Sequence, residues 1–198
     1  MKRLLITGFA PFAGDGINPS WQAVQALPET VGAWELYKKE LPVSFRGAPE
    51  ALQEAIAAAD PDAVLMIGLA AGRDAVTPER QGFNEIDARI PDNEGNMPQN
   101  VPVVPGGPET LYATLPAEDM TDAILSAGIP ARLSENAGRF VCNALLYSAL
   151  YRLEQADDPI PAAFIHIPAT PELAEGRELP ALPPDQIVAA LMAAIQAV

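Results

Sequence analysis

The chain has one cysteine and one histidine in 198 residues. A single cysteine excludes an intramolecular disulfide, so the chain carries no mark of an oxidising compartment. A zinc site built from His and Cys wants three or four such ligands, and only two exist. A carboxylate-rich metal site stays open on composition, but nothing in the sequence points to a metal or a cofactor. Positive charge is also scarce. Twelve Lys and Arg stand against 26 Asp and Glu, for a net charge of -14 and a pI near 4.3. An acidic surface repels phosphate backbones and anionic membranes, so neither a nucleic-acid nor a membrane partner is expected. Long apolar runs are missing. No stretch approaches the roughly 18 residues of a membrane span. The run Leu4-Leu5-Ile6 near the N-terminus is too short for a signal peptide and lacks a cleavage site. The expected location is the cytoplasm. No Gly-x-Ser-x-Gly elbow is present, which argues against an ordinary serine hydrolase. The loop from Gly8 to Gly16 is glycine-rich, but it has neither the lysine of a phosphate loop nor the spacing of a dinucleotide fingerprint. Asp92-Asn93-Glu94-Gly95-Asn96 lacks calcium-loop spacing and reads as a tight turn.

What is present is a globular composition, 49% hydrophobic, in a length that suits one domain spanning residues 1–198. Apolar runs at Leu4–Thr7, Ala63–Ile67 and Ala162–Ile167 read as strands, and further strands are expected at Trp34–Leu41 and, shorter, at Ala131–Leu133. Helices are expected over Trp21–Leu27, capped from Asn18, and over Pro49–Ala59, Ala117–Ala127, Arg139–Gln155 and Pro183–Val198. Gln81–Ile90 reads as extended, and Pro91 to Pro108 is turn-rich. Strands alternating with helices give an α/β fold with a mostly parallel sheet and helices on both faces.

Two residues carry the chemistry that the composition leaves open. Cys142 lies near the start of a helix that follows a small-residue turn, where unpaired N–H groups and the helix dipole favour a thiolate. A buried structural cysteine is the commoner fate of such a residue. His166 lies near the carboxyl end of an apolar strand, just before Pro168. A core histidine is the ordinary reading there, yet ligand sites in open parallel sheets form at that strand edge. The loops after Thr7 and Ile67 reach the same edge. An imidazole beside a thiol can take its proton and return it to a leaving amine. A third group must then orient the ring. Spacing alone leaves Glu79, Glu85 and Asp87 as candidates.

Four blocks resemble the pyroglutamyl peptidase I family, the pyrrolidone-carboxylate peptidases. They are Thr7-Gly8-Phe9-Ala10-Pro11-Phe12 with Asn18-Pro19; Gly68-Leu69-Ala70-Ala71-Gly72-Arg73 with Pro78-Glu79-Arg80; Asp87-Ala88-Arg89-Ile90-Pro91-Asp92-Asn93-Glu94-Gly95; and Ala137-Gly138-Arg139-Phe140-Val141-Cys142-Asn143, followed by Phe164-Ile165-His166-Ile167-Pro168. The resemblance implies a three-layer α/β/α sandwich and a cysteine peptidase that removes an N-terminal pyroglutamyl residue through a thioester. Its triad falls on Cys142, His166 and Glu79, with Arg89 in the oxyanion region. Phe9 and Phe12 would line the ring's pocket, with Asn18, Ala70, Ala71 and Val141 as further substrate contacts. It also implies peptide substrates bearing N-terminal pyroglutamate, and a homo-oligomer, tetramer or dimer. Two other functions are carried forward: a catalytically weak homologue that binds pyroglutamyl or other lactam ligands, and a phosphorylase on a similar α/β architecture.

Overall fold

The computed structural model describes residues 1–198. In chain order the elements are β1 (Lys2–Phe9), α1 (Pro19–Ala26), β2 (Thr30–Val31), β3 (Trp34–Leu41), α2 (Gly47–Ala59), β4 (Ala63–Leu69) and β5 (Thr77–Glu79), then β6 (Gln81–Phe83), β7 (Thr110–Tyr112), α3 (Ala117–Ser126), α4 (Val141–Glu154), β8 (Ala162–Ile167), α5 (Pro171–Ala174) and α6 (Pro184–Gln196). Six strands form one sheet in the order β2-β3-β1-β4-β8-β5, and β6 pairs with β7 in a separate ribbon. The four inner strands run parallel. The two edges, β2 and β5, are antiparallel to their neighbours.

Burial explains the strand sequences. β4 reads AVLMIGL and is buried along nearly its whole length, because helices cover both faces of a central parallel strand. β3 reads WELYKKEL and alternates toward solvent, since only the short β2 lies beyond it. Side chains alternate across the sheet. Leu4, Ile6, Leu65, Ile67, Ala163 and Ile165 join the core under α1, α3 and α6. Leu5, Phe9, Val64, Met66, Ala162 and Phe164 join the core under α2 and α4. The result is the expected three-layer α/β/α sandwich. Residues such as Leu65 have no exposure, and truncating one to alanine costs about 2–5 kcal/mol.

The helix ends follow local chemistry. Asn18 accepts from the Ser20 N–H at 3.1 Å, with Pro19 in the first turn of α1. α2 stops at Asp60, which takes a left-handed conformation (φ 45°) before Pro61. α4 differs: Phe140 stands at its N-cap and no side chain caps it.

Some expectations needed revision. The strand expected at Ala131–Leu133 reduces to isolated bridges, Val76 to Ala131 and Glu79 to Ser134. The extended run expected over Gln81–Ile90 is a strand only to Phe83. Beyond it the backbone turns to follow Asn143, whose side chain bonds Phe83 and Glu85. The turn-rich segment from Pro91 is anchored by Asp92. Its buried carboxylate accepts from the N–H groups of Phe45, Glu94 and Asn96 at 2.8–2.9 Å.

The chain crosses from β1 to β3 on one side, then places β4 on the other side of β1. The reversal opens a crevice at the carboxyl ends of β1 and β4. No helix is long and apolar enough to cross a membrane.

Candidate active site

Ala162, Phe164 and His166 project from the same face of β8, toward α4. Gly68 of β4 is the register partner of His166, and Met66 that of Phe164. A side chain at Gly68 would collide with this layer. A Cβ there would lie 2.6 Å from Phe164 Cζ and 3.0 Å from Cys142 Sγ. The thiol therefore rests against the glycine, in the space its missing side chain leaves. Neighbouring strands lie about 4.8 Å apart, so the thiol stands beside the histidine's strand on the face that His166 occupies.

β5 brings the third group. It runs antiparallel to β8, with Thr77 opposite His166 and Glu79 opposite Phe164. Glu79 Oε1 lies 2.7 Å from His166 Nδ1. Glu79 has no exposure and His166 only 4%. A carboxylate at Nδ1 requires the proton there, which leaves the lone pair on Nε2. Of the other carboxylates the sequence left open, Glu85 pairs with Arg139 at 2.5 Å, and Asp87 lines a different cavity. The same Glu79 oxygen also meets Arg73 Nη1 at 2.6 Å. Glu79 Oε2 has no hydrogen-bond partner.

The electrostatics follow from this burial. For His166, burial pushes its pKa down, and the Glu79 contact only partly offsets that. Burial would raise the Glu79 carboxyl, but the His166 contact, the Ser134 hydroxyl and the Arg73 charge together hold it below the usual value. The Cys142 thiol is pushed up to about 12, first by burial and then by the Glu79 charge, with Arg73 and the cysteine's own N–H opposing. These shifts oppose the thiolate that the helix start favours. Cys142 is indeed the second residue of α4, but desolvation and a nearby carboxylate outweigh the helix terminus. Both shifts favour the uncharged forms, a thiol and an imidazole. The uncapped start of α4 still has an asset. Its first N–H groups have no intrahelical acceptor. The Ala144 N–H is the one that bonds back to Phe140, at 3.1 Å.

Cys142 opens into a cavity of about 130 Å³ whose other walls include Phe9, Phe12, Ile17, Val43, Leu69, Phe140 and Val141. Phe140 is held between Phe12 and Phe45, with ring centroids 5.4 and 5.1 Å away. Asp15 is on the rim, and Arg177 binds its carboxyl and holds it below the usual range. Asn18 lines the same cavity, although its oxygen caps α1 and its amide donates to the Ala10 carbonyl at 2.9 Å. Ala70 and Ala71 follow β4 in the loop, but Leu69 forms the lining there. Arg89 is exposed and lines the neighbouring polar cavity with Asp87, Asn136 and Arg139. Phe140 is the wall shared by the two cavities.

The sequence reading missed Val43, Leu69 and Phe140 in the pocket and Arg73 at the carboxylate. Phe140 could have been found two residues before Cys142, where a helix start turns its first side chains to the strand edge. Val43 gave no signal, since only the sheet order brings the end of β3 beside this loop.

The sequence pattern of the pyroglutamyl peptidase family matches residues 2–198. The pyrrolidone-carboxylate peptidase of Thermococcus onnurineus is 42% identical over 95% of this chain and 94% of its own length. That of Escherichia fergusonii is 44% identical over 98% and 92%. The crystal structure of Bacillus amyloliquefaciens pyroglutamyl peptidase I superposes with a TM-score of 0.97 at 38% identity, covering 100% of this chain and 96% of that one. The pyrrolidone carboxyl peptidase of Thermococcus litoralis gives 0.93 at 34% identity, covering 100% and 93%. With its fold, its cysteine at the head of α4 and its similarity extending over the full length, this chain belongs to the pyroglutamyl peptidase family.

Proposed function

We propose that the chain removes N-terminal pyroglutamate from peptides, with Cys142 as nucleophile, His166 as general base and acid, and Glu79 as the group that orients His166. The observation that carries this reading is the sole imidazole, held by a buried carboxylate at 2.7 Å, on the sheet face where the sole thiol packs against Gly68.

The pyroglutamyl ring is a neutral lactam with a mostly apolar surface. Phe9, Phe12, Phe140 and Val141 bury its carbon face. A charged N-terminal ammonium is costly to desolvate in such a lining. Asp15 does not reverse that preference, because Arg177 already occupies its carboxylate. As Sγ attacks the carbonyl carbon, Nε2 of His166 takes the thiol proton, and the imidazolium is stabilised by Glu79. A neutral starting pair means that charge develops during the attack, where the unpaired N–H groups at the head of α4 can receive the oxyanion. Arg89, which holds no ion pair, is assigned to the same developing charge from the polar side of Phe140. Collapse of the intermediate moves the proton from Nε2 to the departing amine and leaves the thioester. His166 then deprotonates a water that releases pyroglutamate and restores the thiol.

Binding of lactams without turnover is not favoured, since all three reacting groups are present. Family membership also displaces the phosphorylase reading. Cytoplasmic residence and assembly into a dimer or tetramer belong to the same proposal, and light scattering of the purified chain tests the latter. The function is tested by hydrolysis of a chromogenic pyroglutamyl amide beside its prolyl counterpart, before and after alkylation. Rapid cleavage of the first only, abolished by iodoacetamide, is expected. Undiminished turnover of the alkylated protein would remove Cys142 from the reaction.

A further inference from the structure

We propose that Arg73 is a positioning residue of this site: it shares the Glu79 oxygen that orients His166 and ties that oxygen to the loop leading into the cysteine helix. The inference rests on the peptidase reading above only for its kinetic consequence.

The geometry is specific. Arg73 lies four residues beyond the end of β4, in the loop that leads to β5, and reaches three acceptors on two segments. Its Nη1 meets Glu79 Oε1 at 2.6 Å and also donates to Thr77 Oγ1. Its Nη2 donates to the Asn136 carbonyl at 2.8 Å. Thr77 and Glu79 flank the edge strand β5, and Asn136 lies in the loop that delivers Cys142 to α4. One side chain therefore links the carboxylate, its strand and the approach to the nucleophile. Glu79 Oε2 has no hydrogen-bond partner, so both ion-pair contacts of the carboxylate fall on Oε1, with His166 on one side and Arg73 on the other. The Arg73 side chain is 24% exposed and Glu79 is fully buried. Such a pair costs much more to break than to replace as a whole.

The arrangement sets the charge that His166 experiences. The charged groups acting on its ring are Glu79 from β5, in contact, and Arg73 from the loop after β4, through Glu79, while Cys142 from α4 packs against Gly68 on the same face. β4 itself offers only Gly68 there, and the Phe164 ring lies 4.7 Å away. Glu79 favours the imidazolium, whereas Arg73 opposes it and also favours ionisation of Cys142. Arg73 therefore keeps a buried carboxylate ionised and oriented while limiting how strongly it protonates the histidine. Without the guanidinium, Glu79 would act unopposed on the imidazole, its only remaining ion-pair partner, which would stay protonated to higher pH.

The chain's single histidine makes the test direct. Its imidazole gives one Hε1 resonance, whose pH titration by NMR requires no turnover. In the parent the midpoint should lie below the ordinary value of 6.5. In Arg73→Gln it should move upward, and in Arg73→Lys it should stay nearer the parent. For an active enzyme, the acid limb of kcat/KM should follow the NMR midpoint in each variant. A purely structural role would lower kcat without moving either. Should Arg73→Gln fail to fold, the double variant R73Q/E79Q removes both charges and strands neither. Its midpoint should lie above that of E79Q alone. An unchanged or lower midpoint in R73Q, or in the double variant against E79Q, overturns the proposal. The peptidase reading fails separately, if the parent titrates as described but cleaves no pyroglutamyl amide.

Discussion

Replacing Gly68 by alanine adds one methyl group to the most crowded point of the site. The new Cβ would stand 2.6 and 2.8 Å from two carbons of the Phe164 ring and 3.0 Å from Cys142 Sγ. The ring has no room to retreat, since Phe164 has no exposure and packs against Phe9 and His166. Overpacking a core in this way costs about 1–3 kcal/mol. For a chain of this size that is a fall in Tm of about 2–12 °C. The larger effect is on position. A reacting atom displaced by on the order of 1 Å loses about 10²-fold in rate, and here the sulfur must move, or the ring that abuts His166 must. Turnover of a pyroglutamyl amide gives kcat, and iodoacetamide labelling of the sole thiol reports its accessibility independently. Gly82→Ala is the control. Its Cβ would be 3.2 Å from Leu146 Cγ and the Tyr147 nitrogen, so it should lower Tm while leaving the labelling rate near the parent value. Parent kcat and labelling in Gly68→Ala would refute the contact between strand and thiol.

Cys142→Ser should lower kcat by about 10³-fold or more, because a hydroxyl is a far poorer nucleophile beside a neutral imidazole, and circular dichroism should show an intact fold. Glu79→Gln keeps an acceptor for Nδ1 but loses the charge that stabilises the imidazolium, so its kcat should fall by less than that of Cys142→Ser; the reverse ranking would undo the assigned roles. Asp92→Ala would strand the N–H groups of Phe45, Glu94 and Asn96, a loss of about 2 kcal/mol or more visible in denaturant unfolding. Stability should also decline with acid in two steps. Folded His166 titrates below 6.5, so the unfolded chain binds the proton first, and stability falls as pH drops through 6.5 toward the folded value. Glu79 is held below 4.5 when folded, so its contribution, present above that pH, is lost as pH falls through the lower folded value. A melting temperature that rises on acidification from pH 7 would contradict both signs.

The inner strands were legible because their composition reports burial on both faces. Ala162–Ile167 has the bounds that its apolar run gave, and Trp34–Leu41, which alternates toward solvent instead, also has the expected bounds. Cys142 near a helix start and His166 at a strand end were legible for the same local reasons. β5 was not. Thr77-Pro78-Glu79 is too short to show a period, and its proline removes a ladder donor, a trait of edge strands. Its position depends on β8 having a free edge, which no local pattern announces. The partner of Arg73 was hidden in the same way, since the distance from Arg73 to Asn136 in sequence says nothing of their contact.

Sequence by itself determined the layers, the absence of any disulfide, and the family to which the four blocks point. It also named the thiol and the imidazole, because there is one of each and each has a strong local signal. Spacing left three carboxylates open and the resemblance pointed to Glu79; tertiary structure shows how it meets the imidazole, through an antiparallel edge pairing. It also sets the electrostatic balance at the sulfur. A helix start favours a thiolate, but burial and the Glu79 charge act through space on the same sulfur and push its pKa up.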